Sequence, residues 1–401
     1  MPPRVARAFA AVRRFGRDLF AGDWAGAAIA VGTGFGVMVG LGLLAMLLVG
    51  VGGVAESIGG AATAVGLAAG GSLLEGDGPA GVPVFRPLGL AVAGFWTMAA
   101  LLTRRLRQRP GLDARTVLLQ AVRAGLVLPG AALIIALLSR IGGAGVGVAS
   151  TMFSSLVAGG VAVAAAASLR LPVSEAAGRW WAWHRWAGPV RAVLVLTVVT
   201  GAVTLAGVIA WTVLQVADGA PAVPMVRGVA ASVLLGLPNL AGAAFLFGLG
   251  VPARGDLAAS FGLAGTRDSV SIVDLVQHHV AFLAWPAVVA LLLAIAARSG
   301  GRRAGTPDGA DRAVPFPVAL TLVLPVALLG LARALAVGVD EAGSGAWLSG
   351  SFEFNSVMAV VLGAAWGAAV GAIGTTFTRE HRPRHAAAGR AERTVTAASG
   401  T

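Results

Sequence analysis

The sequence predicts an all-α, polytopic transmembrane helix bundle: eight spans plus two re-entrant or half-membrane segments, organised as two parallel four-span repeats. Three observations carry this expectation. Hydrophobic residues make up 57% of the 401 and charged residues only 12%, with a mean hydropathy of +0.83. A soluble globule carries about 25% charged residues to cover its surface. Apolar runs near or above the ~20 residues a helix needs to cross a bilayer recur along the whole chain. Between them, arginines gather in alternate connections, which is the charge signature of a multi-pass chain.

The elements follow in order. Residues 1–24 form a basic amphipathic tail, in which Arg4, Arg7, Arg13, Arg14 and Arg17 lie mostly opposite Val5, Phe9, Val12, Leu19 and Phe20 on a helical projection. That pattern reads as a short helix lying on an anionic membrane surface. The apolar run 25–54 is far longer than a signal-peptide core and is expected to stay as the first span. Further runs fall near 88–103, 117–139, 144–168, 190–216, 225–250, 279–297, 314–337 and 355–377. Nine crossings would put the two arginine-rich ends on opposite sides, against the positive-inside rule. The weakest candidate is 225–250, which opens with Arg227 and is interrupted by Leu237-Pro238-Asn239. Proline removes a backbone donor and disfavours helix in the residue before it, so this run is expected to bend into a re-entrant hairpin. With eight crossings, 23 of the 30 basic residues fall on the cytoplasmic side and five outside, while Arg123 and Arg333 lie within spans. Both termini are then cytoplasmic in a cell-membrane protein.

The same arrangement exposes a repeat. Residues 25–169 run span, small-residue segment (57–71), outer loop, span, Arg cluster, span, span; residues 190–378 follow the same order, with 225–250 as the small-residue segment. Val127-Leu128-Pro129 and Val323-Leu324-Pro325 occupy matching positions in the third span of each half. An even number of crossings per half makes the copies parallel. A Trp/Arg loop at 170–189 joins them, and residues 379–401 form a basic tail, including His381 and His385, whose composition reads as disordered.

The order of features resembles the streptophobe family of multi-pass membrane proteins of actinobacteria. The resemblance rests on Ala68-Ala69-Gly70-Gly71-Ser72, on Arg86-Pro87-Leu88-Gly89-Leu90 running through Trp96 to Arg104-Arg105-Leu106-Arg107, and on Leu237-Pro238-Asn239. It continues through Gly248-Leu249-Gly250-Val251-Pro252 and Ser269-Val270-Ser271, covering residues 25–300 in order. It implies a multi-pass membrane protein and brings no activity.

Composition excludes several chemistries. There is no cysteine, so no disulfide, thiolate nucleophile or Cys-ligated metal is available, and no lysine, so no Schiff base or Walker lysine. Arginine without lysine, beside abundant Ala, Gly and Val, fits a very GC-rich coding sequence. No HExxH, GxSxG or paired intramembrane carboxylates occur, so the chain is not expected to be an enzyme, and no cofactor is expected. Gly32-Thr33-Gly34 has no preceding strand and is not a dinucleotide loop.

The remaining candidates each have a plain reading beside the functional one. Gly32, Gly36 and Gly40, and Gly363, Gly367 and Gly371, form small-xxx-small ladders suited to close helix packing within the chain, or between copies in a homo-oligomer. Trp180, Trp181, Trp183, Arg185 and Trp186, with His184 among them, suit an interfacial anchor on anionic lipid headgroups better than single-stranded nucleic acid, because they lie between two spans. No nucleic-acid partner is expected. Arg123 is expected to snorkel, and Arg333 to snorkel or to pair with Asp340 or Glu341. Asp274, His278 and His279 open a span on its outer side, where they suit either an interfacial helix start or a site responsive to protons or a cation. Together with Asn239 at the expected bend and Arg333, they form the one ligand or proton site the sequence suggests. Two functions follow: a non-catalytic membrane or envelope protein, favoured by the few polar residues in the spans, or a small-molecule or ion transporter working through the broken segment at Pro238-Asn239.

Overall fold

The computed structural model describes residues 3–50, 53–74, 86–108, 114–142, 145–163, 187–255, 271, 273, 276–277, 284–304, 316–335, 337–339 and 350–376. It is an all-α polytopic bundle, and among the described residues seven helices are long and apolar enough to cross a membrane. The helices are α1 (Pro3–Phe20), α2 (Trp24–Val49), α3 (Val54–Ala68), α4 (Leu88–Arg107), α5 (Ala114–Leu138), α6 (Val148–Ser154), α7 (Ala187–Ala217), α8 (Ala222–Gly248), α9 (Ala284–Ala304), α10 (Phe316–Ala334) and α11 (Ser356–Thr376). Among the described residues five short strands punctuate them: β1 (Leu73–Leu74), β2 (Gly145–Val146), β3 (Ala253–Gly255), β4 (Val337–Val339) and β5 (Gly350–Phe354). The chain divides into two compact units, one of Met1–Trp180, Gly207–Asn239 and Val337–Ala346, the other of Trp181–Ala206, Leu240–Ala336 and Trp347–Thr401.

In the first unit the core lies where α2, α3, α4 and α5 meet, around Val31, Phe35, Met38, Val65, Leu90, Met98 and Leu128. Small residues permit the approach. A methyl group on Gly34 or Gly94 would collide with Met98 or Met38 respectively. Helix α2 begins because the Asp23 carboxylate accepts the Gly26 amide at 2.7 Å, and it stops at Gly50, whose φ of 78° suits the left-handed cap that glycine adopts without strain. Helix α3, 15 residues long, starts with the Glu56 carboxylate accepting the Gly53 amide at 3.0 Å. At ~1.5 Å per residue, such a helix is about three-quarters as long as a ~30 Å hydrocarbon layer is thick. A short apolar helix thus stands where the sequence places the small-residue segment 57–71.

The second such segment has a different form. The bend expected at Pro238 does not occur, because α8 runs unbroken for 27 residues with Pro238 inside it. Around the proline, a continuous helix leaves only the Leu234 carbonyl without its usual partner, because Pro238 has no amide hydrogen to donate. A hairpin would orphan several, which apolar surroundings penalise.

The two halves nevertheless share one junction, bond for bond. At the end of α3, Ala69 donates to the Val65 carbonyl, Gly70 to Leu67 and Gly71 to Gly66; at the end of α8, Leu249 donates to Phe245, Gly250 to Phe247 and Val251 to Leu246. Gly70 (φ 93°) and Gly250 (φ 89°) are the left-handed residues of these two Schellman caps. Each cap leads into a strand that pairs antiparallel with the strand before the last helix of its half, Leu73 opposite Val146 and Ala253 opposite Phe354. Gly147 then donates to the Ser72 carbonyl at 2.8 Å and Asn355 to the Pro252 carbonyl at 3.0 Å, and each begins the helix that follows. Leu128 and Leu324, next to the matched prolines, are both buried.

The last helices differ. In the first half, α6 widens into a π turn over Ser155–Gly159, and serine and threonine hydroxyls crowd the junction, with Ser150 Oγ 3.0 Å from Ser72 Oγ. In the second half α11 is regular, and Met358 and Ala359 stand early in it.

Candidate functional site

Asn239 is the polar group the sequence places deepest in an apolar run, and it is 4% exposed. Its position on α8 brings it to the start of α4. There Asn239 Oδ1 accepts the Leu88 amide at 3.0 Å and Asn239 Nδ2 donates to the Arg86 carbonyl at 2.7 Å. The first amides of a helix lack intrahelical acceptors, so Asn239 serves α4 as a cap supplied from another helix. One turn back on α8, the carbonyls of Leu234 and Leu235 lie against Gly89, where any side chain would collide with them. Pro238 has removed the donor the Leu234 carbonyl would otherwise have, and the glycine backbone fills the gap. Three features that look independent in sequence (Arg86-Pro87-Leu88-Gly89, Pro238 and Asn239) form one joint. The side-chain donor and acceptor of Asn239 are both committed there.

The partners proposed for Asn239 by sequence are not seen with it. Asp274, His278 and His279 lie outside the described residues, as do the cluster Trp180, Trp181, Trp183, His184, Arg185 and Trp186 and the tail 379–401. Arg333 is exposed in the last turn of α10, and Asp340 and Glu341 lie outside the described residues. No group of three or more His, Asp or Glu side chains suited to a metal occurs among the described residues.

The glycine ladders behave differently from each other. A methyl group on Gly363 would lie 2.9 Å from Pro325 Cα, one on Gly367 2.9 Å from the Leu320 carbonyl oxygen, and one on Gly371 2.5 Å from Pro317 Cα. That ladder is the seam between α10 and α11. Around Gly32, Gly36 and Gly40 no atom of the described residues lies within 4 Å, so the stripe on α2 meets no partner among them.

Arg123 corrects the snorkelling expectation. It is 3% exposed, and its guanidinium turns inward onto the end of α1. Nε donates to the Leu19 carbonyl at 2.8 Å, Nη2 to the Asp18 carbonyl, and Nη1 to Gln120 Oε1 at 2.9 Å. Gln120 Nε2 donates to the Asp23 carbonyl at 3.0 Å. The guanidinium plane covers Gly22, where a side chain has no room. Cations and donors stabilise a helix C-terminus because its last carbonyls are unpaired and carry partial negative charge. Arg105 Nη1 adds a contact to Asp23 Oδ2 at 3.8 Å. The result is a braced elbow between α1 and α2. The sequence offered Arg123 and Gln120 one turn apart on one helix face, but their acceptors are backbone atoms about a hundred positions away.

No known family, curated protein or solved structure matches this chain.

Proposed function

We propose that the protein is a non-catalytic, multi-pass protein of the cell membrane or envelope, in the manner of the streptophobe family, without enzymatic activity or cofactor. One observation carries this reading over the transporter alternative: the Asn239 side chain is spent on closing the start of α4. A transport site needs polar groups turned towards a wet cavity at the break in the helix. Here the break is filled by Gly89 and Asn239 themselves. Eight crossings with both termini cytoplasmic remain our topology, and two parallel repeats our organisation. The matched caps support the repeat, since aligned on them the end of α8 corresponds to α3. Helix α8 is itself membrane-length, so the eight-crossing count rests on the arginine distribution. The outward-facing stripe at Gly32, Gly36 and Gly40 favours α2 as the contact in a homo-oligomer.

The absence of cysteine makes a direct test available. Asn239→Cys in intact cells should resist a membrane-impermeant thiol reagent, while Val226→Cys, on the exposed face of α8, serves as a comparison site in the presence and absence of detergent. Rapid labelling of Asn239→Cys from the outside would show a solvent path to the helix break and favour the transporter.

A further inference from the structure

Residues Pro3–Phe20 form a helix whose last turn is gripped by Arg123. We propose that α1 is an arm laid on a bilayer surface rich in anionic headgroups, with the Arg123 elbow fixing its position at the start of the first span. The proposal rests on the membrane reading above and names the partner of one surface within it.

Three observations converge on it. First, α1 carries large apolar side chains that the bundle leaves uncovered: Val12 is 70% and Phe20 75% exposed. Helical geometry sends Arg14 and Arg17 to the side away from Val12, and Arg13, Arg14 and Arg17 are all exposed. A two-faced helix of this composition sinks its apolar face between headgroups and leaves its cations beside phosphates. Second, Phe20 stacks on Trp24 with ring centroids 6.3 Å apart, an aromatic pair at the point where α1 gives way to membrane-length α2. Aromatic rings of this kind concentrate at the level of the headgroups. Third, the neighbouring end of α4 is basic. Arg104, Arg107, Thr103, Gln108 and Ala100 line an open pocket of about 550 Å³, and Arg105 on the same turn reaches Asp23 in the elbow. Of the acids at this end, Asp18 lies 3.9 Å from Arg17, and Asp23 caps α2 and meets Arg105. The surface is therefore cationic and flanked by exposed apolar side chains, which is complementary to anionic lipid.

The elbow gives the arm its place. Two donors from Arg123 hold the last turn of α1, and Gln120 holds the residue that caps α2, so the arm leaves the bundle at the base of the first span. Tethering at that point raises the local concentration of α1 at the surface it is built to meet.

The test uses the full-length protein reconstituted in vesicles, with a single environment-sensitive fluorophore on Val12→Cys or, in a parallel sample, on Ile29→Cys in α2, which is 52% exposed on the bundle surface. In phosphatidylcholine containing phosphatidylglycerol, the Val12 label should shift to the blue, and the shift should shrink in high salt and vanish when Arg13, Arg14 and Arg17 are changed to Gln. Arg123→Gln should raise the proportion of phosphatidylglycerol needed for the shift. The Ile29 label should be blue-shifted in both lipids. Water-like emission at Val12 in both lipids, with Ile29 still blue-shifted, overturns the arm and leaves the membrane reading intact. Water-like emission at both sites overturns the membrane reading itself. A Val12 shift indifferent to phosphatidylglycerol overturns the anionic surface as partner. Excimer emission between pyrene labels at Val12 places a second copy on this face and overturns it as well. Wild-type lipid dependence in Arg123→Gln removes the elbow from the proposal.

Discussion

Asn239 and Arg123 show how a polar side chain becomes tolerable among apolar helices: each meets backbone groups that would otherwise lack partners. Replacing Asn239 by Ala leaves the Leu88 amide and Arg86 carbonyl unpaired in a buried place, at a cost of about 1–3 kcal/mol. Thermal unfolding in detergent should register that loss. Asn239→Asp keeps the acceptor for Leu88 but has no donor for Arg86, so it should fall between the wild type and Asn239→Ala. If Asn239→Ala unfolds with the wild type, the joint contributes nothing to stability. Gly89→Ala tests the same joint from the other side. Its methyl group meets the Leu234 and Leu235 carbonyls, and overpacking of this kind costs about 1–3 kcal/mol.

At the scale of elements, the two glycine ladders make a contrast that composition alone does not. Both are spaced for close helix approach. Among the described residues only the one on α11 has a partner, the Pro317–Pro325 face of α10. Gly367→Leu should therefore lower detergent stability by several kcal/mol or block folding, since a side chain has no room beside Leu320 and Thr321. Gly36→Leu should leave the monomer as stable as before. Equal losses at the two sites would mean that Gly36 packs against something the single chain does not supply. Helix α8 makes a related point. Proline inside a helix costs about 3 kcal/mol, chiefly through a lost hydrogen bond and a clash with the previous turn. The run from Ala222 to Gly248 still forms one helix, because a hairpin in an apolar medium orphans more backbone groups than a single proline does.

For the whole molecule, the arginine distribution makes the strongest claim. Reporter fusions after Arg109, Arg185 and Thr401 should all report a cytoplasmic location if the chain makes the proposed eight crossings, which would place 23 of the 30 basic residues on one side as the positive-inside rule requires. An external signal from the Thr401 fusion alone would mean that α8 crosses completely. The repeat would fall with it, since five crossings in the second half do not match the four of the first.

The sequence by itself determined the class of the protein. Long apolar runs admit few structures in lipid besides helices, and a chain with so few charges cannot cover a soluble surface. The ends of helices are set locally in the fold, because Asp23, Gly50, Gly70 and Gly250 act through their own stretch of backbone. The order of spans and small-residue segments suggests a repeat, and what the structure adds is a pair of alike junctions, with strand pairs at Leu73–Val146 and Ala253–Phe354. What sequence could not supply is partnership over distance. Pro238 reads as a break until Gly89 is found beside it, Asn239 reads as a site until its amide is found closing α4, and Arg123 reads as a snorkelling charge until α1 is found ending on it. In each case the acceptor or donor is a backbone group that every residue carries, so no residue type at the partner position announces the contact. Only the folded chain chooses which backbone group is met.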